Sequence, residues 1–350
     1  MKQPKKTFNP KYVISNQLLV NIKRIAEIIT ELNGRSFSGI VLTELEKRAR
    51  EISAFSSTSI EGNPLPLTDV KRILKTRPEH IRDSEKEVLN YNKALVELNN
   101  LIRNKKQVFN LSLILKIQKT ITQGLIENYR CGRLRQESVF VNNPKTRQPV
   151  YLPPDQSDVP ELLNKLFDYV QKNENIVDPL ISAGIFHKQF VIIHPFIDGN
   201  GRTVRLATKV LLAKMGLNTF NLFSFENYYN KNVSKYFQEV GLLGNYYDIK
   251  DQTDFTPWLE YFTDGLIDEL LRVGKELNQE SISPEKELKN YHQKIISYLK
   301  KYGYISDRDY AKLTSRAKPT RNLDFRKLIE LGIIEKLGKG KATYYKFNRK

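Results

Sequence analysis

The chain has 350 residues, 40% hydrophobic and 10% aromatic, and a single Cys131, which is enough apolar material for two or three packed domains and excludes an intramolecular disulfide. Its formal net charge of +18 points to anionic partners. No run approaches the roughly 18 apolar residues of a membrane span, and no apolar stretch follows the basic N-terminus Met-Lys-Gln-Pro-Lys-Lys-Thr, so a cytoplasmic protein without membrane contact is expected.

The pattern along the chain is helical. Leu18, Ile22, Ile25, Ile29 and Leu32 recur at helical spacing up to Asn33-Gly34. Val41, Leu45, Ala49 and Ile52 begin a second helix that leads into Ser57-Thr-Ser-Ile-Glu-Gly and stops at Gly62-Asn63-Pro64. Further helices are expected near 84–103, 111–125, 158–172, 178–193, 202–215, 225–240 and 256–276. Between them, the β-rich runs Val139-Phe140-Val141 and Val150 to Leu152 flank a polar Asn-Asn-Pro-Lys-Thr turn and predict a hairpin. The four histidines lack a zinc spacing, and His80 and His292 have no metal-binding neighbours in sequence. His187 lies two helical turns before His194 and reads as a hydrogen-bonded core residue, with support of His194 as its functional alternative.

Residues 194 to 205 read His-Pro-Phe-Ile-Asp-Gly-Asn-Gly-Arg-Thr-Val-Arg and open a helix. A turn feeding a helix start presents unpaired N–H groups and the positive end of the helix dipole, which together favour an anion. Glycines let that backbone approach a phosphate closely. Arg202 and Arg205, three apart, project to one face and can grip neighbouring phosphates with forked hydrogen bonds. Asp198 offers a hard oxygen suited to Mg²⁺, and His194 is suited to take a proton near neutral pH. The set predicts a nucleotide polyphosphate site with a metal and a general base.

Beyond 276 the pattern changes. Residues 277–284, Leu-Asn-Gln-Glu-Ser-Ile-Ser-Pro, read as a linker. From 285 to 350 there are 18 Lys and Arg against 7 Asp and Glu, a net +11, which marks a distinct basic domain. Helices near 285–301, 306–314 and 319–331, then two strands around a Gly-rich basic turn, resemble a winged helix-turn-helix. Such a fold sets its third helix in a DNA major groove. The candidates are Lys318, Arg321, Arg326 and Lys327 on the helix and Lys339 and Lys341 on the wing, while a protein-interaction or dimer-packing module on the same fold is the alternative.

His194 to Arg205 resembles the Fic/Doc signature His-x-Phe-x-Asp/Glu-Gly-Asn-Gly-Arg-x-x-Arg at every fixed position. The resemblance implies a mainly α chain: a Fic-type helical bundle with a β-hairpin flap, followed here by the winged-helix-like domain. It implies transfer of AMP from ATP to a Ser, Thr or Tyr hydroxyl of a protein, self-modification included. His194 would be the base and Asp198 the Mg²⁺ ligand. The amides of Gly199, Asn200 and Gly201 would cradle phosphates, with Arg202 on the β-phosphate and Arg205 on the γ-phosphate. The kinase branch of the family resembles a pattern with Lys where this chain has Gly201. Ser57 to Gly62 resembles the family's inhibitory motif, Ser/Thr-x-x-x-Glu-Gly/Asn, in which the glutamate, here Glu61, pairs with Arg205 and Ser57 opens the motif. The hairpin resembles the flap that docks a target segment by strand addition through Val139, Phe140 and Val141. Tyr228, Asn232 and Tyr236 resemble the wall of the adenine pocket, with Phe237 where family members often carry a second Tyr.

The domains expected are an N-terminal helical region with the inhibitory motif (1–110), the Fic core (111–276), the linker (277–284) and the basic domain (285–350). Three alternatives stand beside AMP transfer: its reversal with Glu61 as a catalytic residue, a DNA-binding regulator whose core senses nucleotide, and transfer of another phosphate-linked group. A homodimer is expected by resemblance alone.

Overall fold

The computed structural model describes residues 7–35, 37, 39–76, 81–104, 109–142, 148–213, 216–217, 221–282, 288–331, 333–338 and 340–348, with only the backbone at 39–40, 280–282, 300 and 341. His80, Lys339, Met215, the hairpin turn at 143–147 and Pro284 lie outside the described residues. The chain divides into two compact units, Met1–Gly34 with Ala49–Val273, and Arg35–Arg48 with Gly274–Lys350.

The helices in chain order are α1 (Asn16–Asn33), α2 (Gly39–Ile60), α3 (Leu67–Thr76), α4 (Asp83–Arg103), α5 (Leu111–Thr122), α6 (Val159–Lys172), α7 (Pro179–Ile193), α8 (Asn200–Ala213), α9 (Glu226–Lys231), α10 (Val233–Val240), α11 (Tyr246–Ile249) and α12 (Thr256–Ile282), with α13 (Asn290–Tyr302), α14 (Asp307–Leu313) and α15 (Lys318–Glu330) closing the helical series. The strands are β1 (Val141–Asn142), β2 (Pro149–Leu152), β3 (Gly244–Asn245), β4 (Ile334–Leu337) and β5 (Tyr344–Phe347). Among the described residues no helix is long and apolar enough to cross a membrane.

The larger unit is built around α7. This helix is apolar all round, and 13 of its 15 residues are buried, which makes it a core helix rather than an amphipathic surface one. Asp178 caps its start by accepting the Leu180 amide at 2.8 Å. α6 and α8 pack on α7, and α5 packs against both α4 and α8. Gly184 lets α12 come close: a Cβ there would stand 2.6 Å from Leu259, and Trp258 Nε1 donates to the Gly184 carbonyl at 2.7 Å. The buried rings of Phe225, Tyr229, Tyr236, Trp258 and Phe262 gather around His187. Cys131 is a buried free thiol.

Several elements differ from the expectation. The helix expected over 225–240 is two helices, α9 and α10. Asn232 breaks it, leaving helical φ/ψ (φ −145°, ψ 77°) and accepting the Lys235 amide at 3.1 Å, because an Asn side chain caps better than it propagates. The expected linker at 277–284 is helical through Ile282: Leu277 is fully buried four residues after Val273, and Asn, Gln, Glu and Ser extend a helix that apolar spacing already supports. The hairpin's first strand begins at Val141, after Val139 and Phe140, and β2 also pairs in parallel with β3. Pairing across about 90 residues of intervening chain leaves no local pattern, and neither does the four-residue α11, whereas α3 carries one, Val70 and Ile73 buried at helical spacing, that the expectation passed over. The residues expected as a separate N-terminal region, apart from 35–48, share the larger unit with the core.

In the smaller unit, α13, α14 and α15 pack with the antiparallel pair β4–β5 around Ile295, Leu299, Ile305, Tyr310, Phe325, Leu328, Ile334 and Tyr345. Phe325 stacks on Tyr345 with centroids 4.0 Å apart. Buried Asp324 accepts from the Tyr310 hydroxyl and Arg316 Nε, both at 2.8 Å, and Arg316 lies 3.7 Å over the Tyr291 ring. Arg321 is held by both oxygens of Asp307 at 2.8 and 2.9 Å.

Gly184→Ala is expected to cost about 1–3 kcal/mol through overpacking at Leu259 and Phe262. A lowered urea midpoint with an unchanged slope would show it, and an unchanged midpoint would refute the close approach.

Candidate active site

α7 delivers His194 to the start of the motif. His194 follows the helix with φ 50° and ψ 59°, a left-handed conformation that costs a non-glycine residue energy. Its amide donates to the Phe190 carbonyl at 3.0 Å, and its carbonyl accepts from Arg135 Nε at 2.8 Å. Arg135 is buried and also donates to the Glu137 and Pro154 carbonyls, while its own amide donates to Pro195 O at 2.9 Å. It therefore stitches the turn around His194. Its place between an irregular segment and the hairpin carried no sequence signal. His194 Nδ1 lies 3.3 Å from the Val191 carbonyl, so Nδ1 carries the proton and Nε2 keeps the lone pair. Burial lowers the imidazole pKa to about 4, against the favourable Val191 bond.

The loop from Phe196 to Gly201 is closed by Asn200. Its Oδ1 accepts the Phe196 amide at 2.9 Å and its Nδ2 donates to the Phe196 carbonyl at 2.8 Å. Its side chain is thus spent on the loop, and the amides opening α8 are left without intrahelical carbonyls. Gly199 has φ +83°, and a Cβ there would press on Ile121 and Thr122 at 3.1 Å. Gln118 on α5 donates to the Asp198 carbonyl at 3.1 Å. The result is a set of N–H groups opening α8 on a loop fixed by Asn200 and Gln118, an arrangement that favours an anion.

Both arginines of the motif are buried and already paired. Arg205 Nη2 bonds Glu61 Oε1 at 2.7 Å and the Ser57 carbonyl at 2.8 Å, and its Nε bonds Ser57 Oγ at 2.8 Å. Burial disfavours this cation, but Glu61 and the neighbouring tyrosines hold its pKa above the usual arginine value. Glu61 is set by the end of α2: the Asn63 amide reaches the Thr58 carbonyl at 3.1 Å and the Gly62 amide reaches Ser59 O at 2.9 Å, with Gly62 at φ +94°. That left-handed helix ending requires the glycine that follows Glu61. Gly201 matters as well, since a Cβ there would overlap Glu61 Oε1 and stand 2.9 Å from Arg205 Nη1. Arg202 Nη2 bonds both oxygens of Asp198 at 2.8 Å, and its Nη1 bonds Glu87 Oε1 at 2.5 Å. Glu87, on α4, was missed by sequence reading because nothing near it marks a site.

The expected adenine-pocket residues separate. Tyr236 is buried, with its hydroxyl 3.4 Å from Arg205 Nη1 and 3.2 Å from His187 Nε2. His187 Nδ1 meets Thr208 Oγ1 at 3.0 Å, so His187 is a bonded core residue whose pKa burial drives well below 6.5. Tyr228 is half-buried on Gly265 and Tyr261, Asn232 caps α10 at the surface, and Phe237 packs on Tyr236. In the hairpin, Phe140 is 59% exposed, Val139 and Val141 are half-buried, and β1 is the edge strand of the order β1-β2-β3.

Residues 108–212 match the model of the Fic/DOC family. This part of the chain is a Fic domain. It includes the His194–Arg205 loop, α5 and α7. The chain is 28% identical over 229 residues to a protein named protein adenylyltransferase Fic from Aedes aegypti, covering 60% of this chain and 44% of that one. It is 30% identical over 166 residues to one of the same name from Nematostella vectensis, covering 46% and 37%. The chain thus spans less than half the length of these relatives. In fold it is similar to a Fic family protein from Desulfovibrio desulfuricans, with a TM-score of 0.63 at 22% identity over 98% of this chain and 99% of the other. It is also similar to Fic-1 from C. elegans, with a TM-score of 0.59 at 21% identity over 75% and 73%.

Neutral His194 carries a pH consequence. In the unfolded chain the ring titrates near 6.5, and in the fold near 4, so the unfolded state binds more protons between those values. The His194 contribution to stability is present above about pH 6.5 and is lost as pH falls towards about 4. Relative to His194→Gln, the wild-type melting temperature should fall on going from pH 7 to pH 5, and a constant difference would refute the low pKa.

Proposed function

We propose that the chain is a protein adenylyltransferase that moves AMP from ATP to a hydroxyl side chain of a protein and is held in check by Glu61. The observation that carries the reading is the buried Arg205 fork, closed by Glu61 and Ser57 at the mouth of the His194–Arg205 loop. A carboxylate and a phosphate compete for the same fork, so the resting pair excludes a γ-phosphate from it. The names of the relatives support the same chemistry.

When Glu61 withdraws, Arg205 takes the γ-phosphate, Arg202 takes the β-phosphate, and the amides of Gly199, Asn200 and Gly201 hold the oxygens between them. Nε2 of His194 accepts the hydroxyl proton as the target oxygen bonds to the α-phosphorus. The bond from that phosphorus to the bridging β-oxygen breaks, and pyrophosphate leaves. Asp198, the carboxylate of the loop and 42% exposed, fits Mg²⁺, which takes one or two carboxylates and fills its shell with water and phosphate. Bound there, the ion would neutralise phosphate charge. No cluster of three metal-ligating side chains occurs among the described residues. The edge of β1, with Phe140 beside it, would align the target segment by strand addition.

Glu61→Gly is expected to raise self-modification at least tenfold with ATP labelled at the α-phosphate, and Glu61→Gly/His194→Ala to abolish it while retaining ATP binding. Label transferred only from the γ-phosphate would make the protein a kinase. Release of AMP from a modified protein by the wild type, lost in Glu61→Gly, would assign the reverse reaction.

A second activity is favoured for the smaller unit. Arg316 and Arg321 are spent inside it, but Lys318, Arg326 and Lys327 on α15 are exposed and have no ion partner among the described residues. With the +11 tail and the helix–hairpin order, we assign this face to duplex DNA. Arg326→Ala/Lys327→Ala should weaken duplex binding and flatten its salt dependence. Equal binding by both proteins would send the face to a protein partner.

A further inference from the structure

Glu87 belongs to neither motif and sits on the second turn of α4, yet it touches both halves of the site. Its Oε1 takes Arg202 Nη1 at 2.5 Å and its Oε2 accepts from Asn63 Nδ2 at 2.6 Å. Asn63 stands two residues after Glu61, its amide forms part of the helix ending that sets Glu61, and its side chain also bonds the Ser84 carbonyl at 2.8 Å. Arg202 is 5% exposed, and its Nε has no hydrogen-bond partner, an unmet buried donor beside the anion cradle.

The charges decide what Glu87 does. Among the described residues Glu61, Glu87 and Asp198 ion-pair with Arg202 and Arg205, three carboxylates to two cations, so the resting cluster has one negative charge in excess. A nucleotide polyphosphate brings more negative charge to the same place, where burial leaves little screening. Withdrawing Glu61 frees Arg205 alone. Asp198 would gain a partner in a bound Mg²⁺, whereas Glu87, held by Arg202 and Asn63, would stay on the fork that the β-phosphate needs. Burial already raises the Glu87 carboxyl pKa, against the pull of Arg202, so its anion is held at a cost.

We propose that Glu87 is a second inhibitory carboxylate: it occupies Arg202 as Glu61 occupies Arg205, and Asn63 joins the two so that they leave the arginines together. This rests on the adenylyl-transfer reading of the site. Full access for the nucleotide then requires α4 and the end of α2 to release in concert, and a target or ligand that shifts either one opens both.

The test is ATP·Mg²⁺ binding by calorimetry for the wild type, Glu87→Gln, Asn63→Ala and Glu61→Gly, with KM and kcat for AMP transfer in Glu61→Gly and Glu61→Gly/Glu87→Gln. Glu87→Gln keeps the shape and can still accept from Asn63 but removes the charge from Arg202. It is expected to tighten ATP binding on the order of tenfold, the range for one charged hydrogen bond. Asn63→Ala should tighten it by a smaller factor and serves if Glu87→Gln does not fold. In the Glu61→Gly background, Glu87→Gln should lower KM for ATP and leave kcat unchanged. Unchanged or weaker ATP binding in the folded variants would overturn the proposal and make Glu87 a positioning residue for Arg202. Absence of AMP transfer from Glu61→Gly would sink the transfer reading instead, while the binding data still decide the role of Glu87.

Discussion

A guanidinium sealed from water must find its counter-charge within the protein, and Arg205 does so at the end of α2. An unpaired buried charge costs several kcal/mol, so this arginine is either bonded to Glu61 and Ser57 or bonded to an incoming anion. Under the proposed function, that two-way choice would couple regulation to binding without a separate sensor. It also explains the demands placed on neighbouring positions. Gly62 must end the helix where Glu61 can reach, and Gly201 must be bare so that Glu61 can lie over it. Tyr236 and His187 form the floor that keeps Arg205 in place.

The same economy shapes the base. His194 is held in a left-handed turn by Arg135 from the hairpin side and by α7 behind it, so its ring is fixed before any substrate arrives. Its low pKa keeps it a base in the resting protein at neutral pH. A low pKa also means weak proton affinity, so in the proposed transfer the hydroxyl proton would have to be acidified by the phosphate environment into which it moves. The loop amides, the two arginines and His194 lie together at the junction of α7 and α8, where both helix termini meet the loop, and in the proposed function they would act as one electrostatic unit.

Around Arg202 and Arg205 the protein holds three carboxylates for two cations, in the region that the proposed function opens to a polyanion. Such crowding is stable only while buried hydrogen bonds compensate it. Asn63, just past α2, supplies part of that compensation by donating to Glu87 on α4, which ties the resting state of the site to the packing of α4. In the smaller unit the opposite arrangement holds: Asp307 and Asp324 neutralise Arg321 and Arg316 within the fold, and the cations left over gather on the outer face of α15.

Much of this was written in the sequence. The twelve residues from His194 to Arg205 bring the loop, His194 and both arginines together because a turn and the helix it opens are local structures, set by residues a few positions apart. The Glu61 motif and the helical series were legible for the same reason, as was the core status of His187. What only tertiary structure decided depends on chains meeting at a distance. Glu87 and Arg135 reach the site across 115 and 59 residues, so no spacing announces them. β3 pairs with β2 without local alternation, Tyr236 turns inward to Arg205 while Tyr228 does not, and Leu277 carries α12 through a segment whose composition reads as linker. Periodicity records which face of an element is apolar, but the identity of the partner across that face is a property of the assembled fold alone.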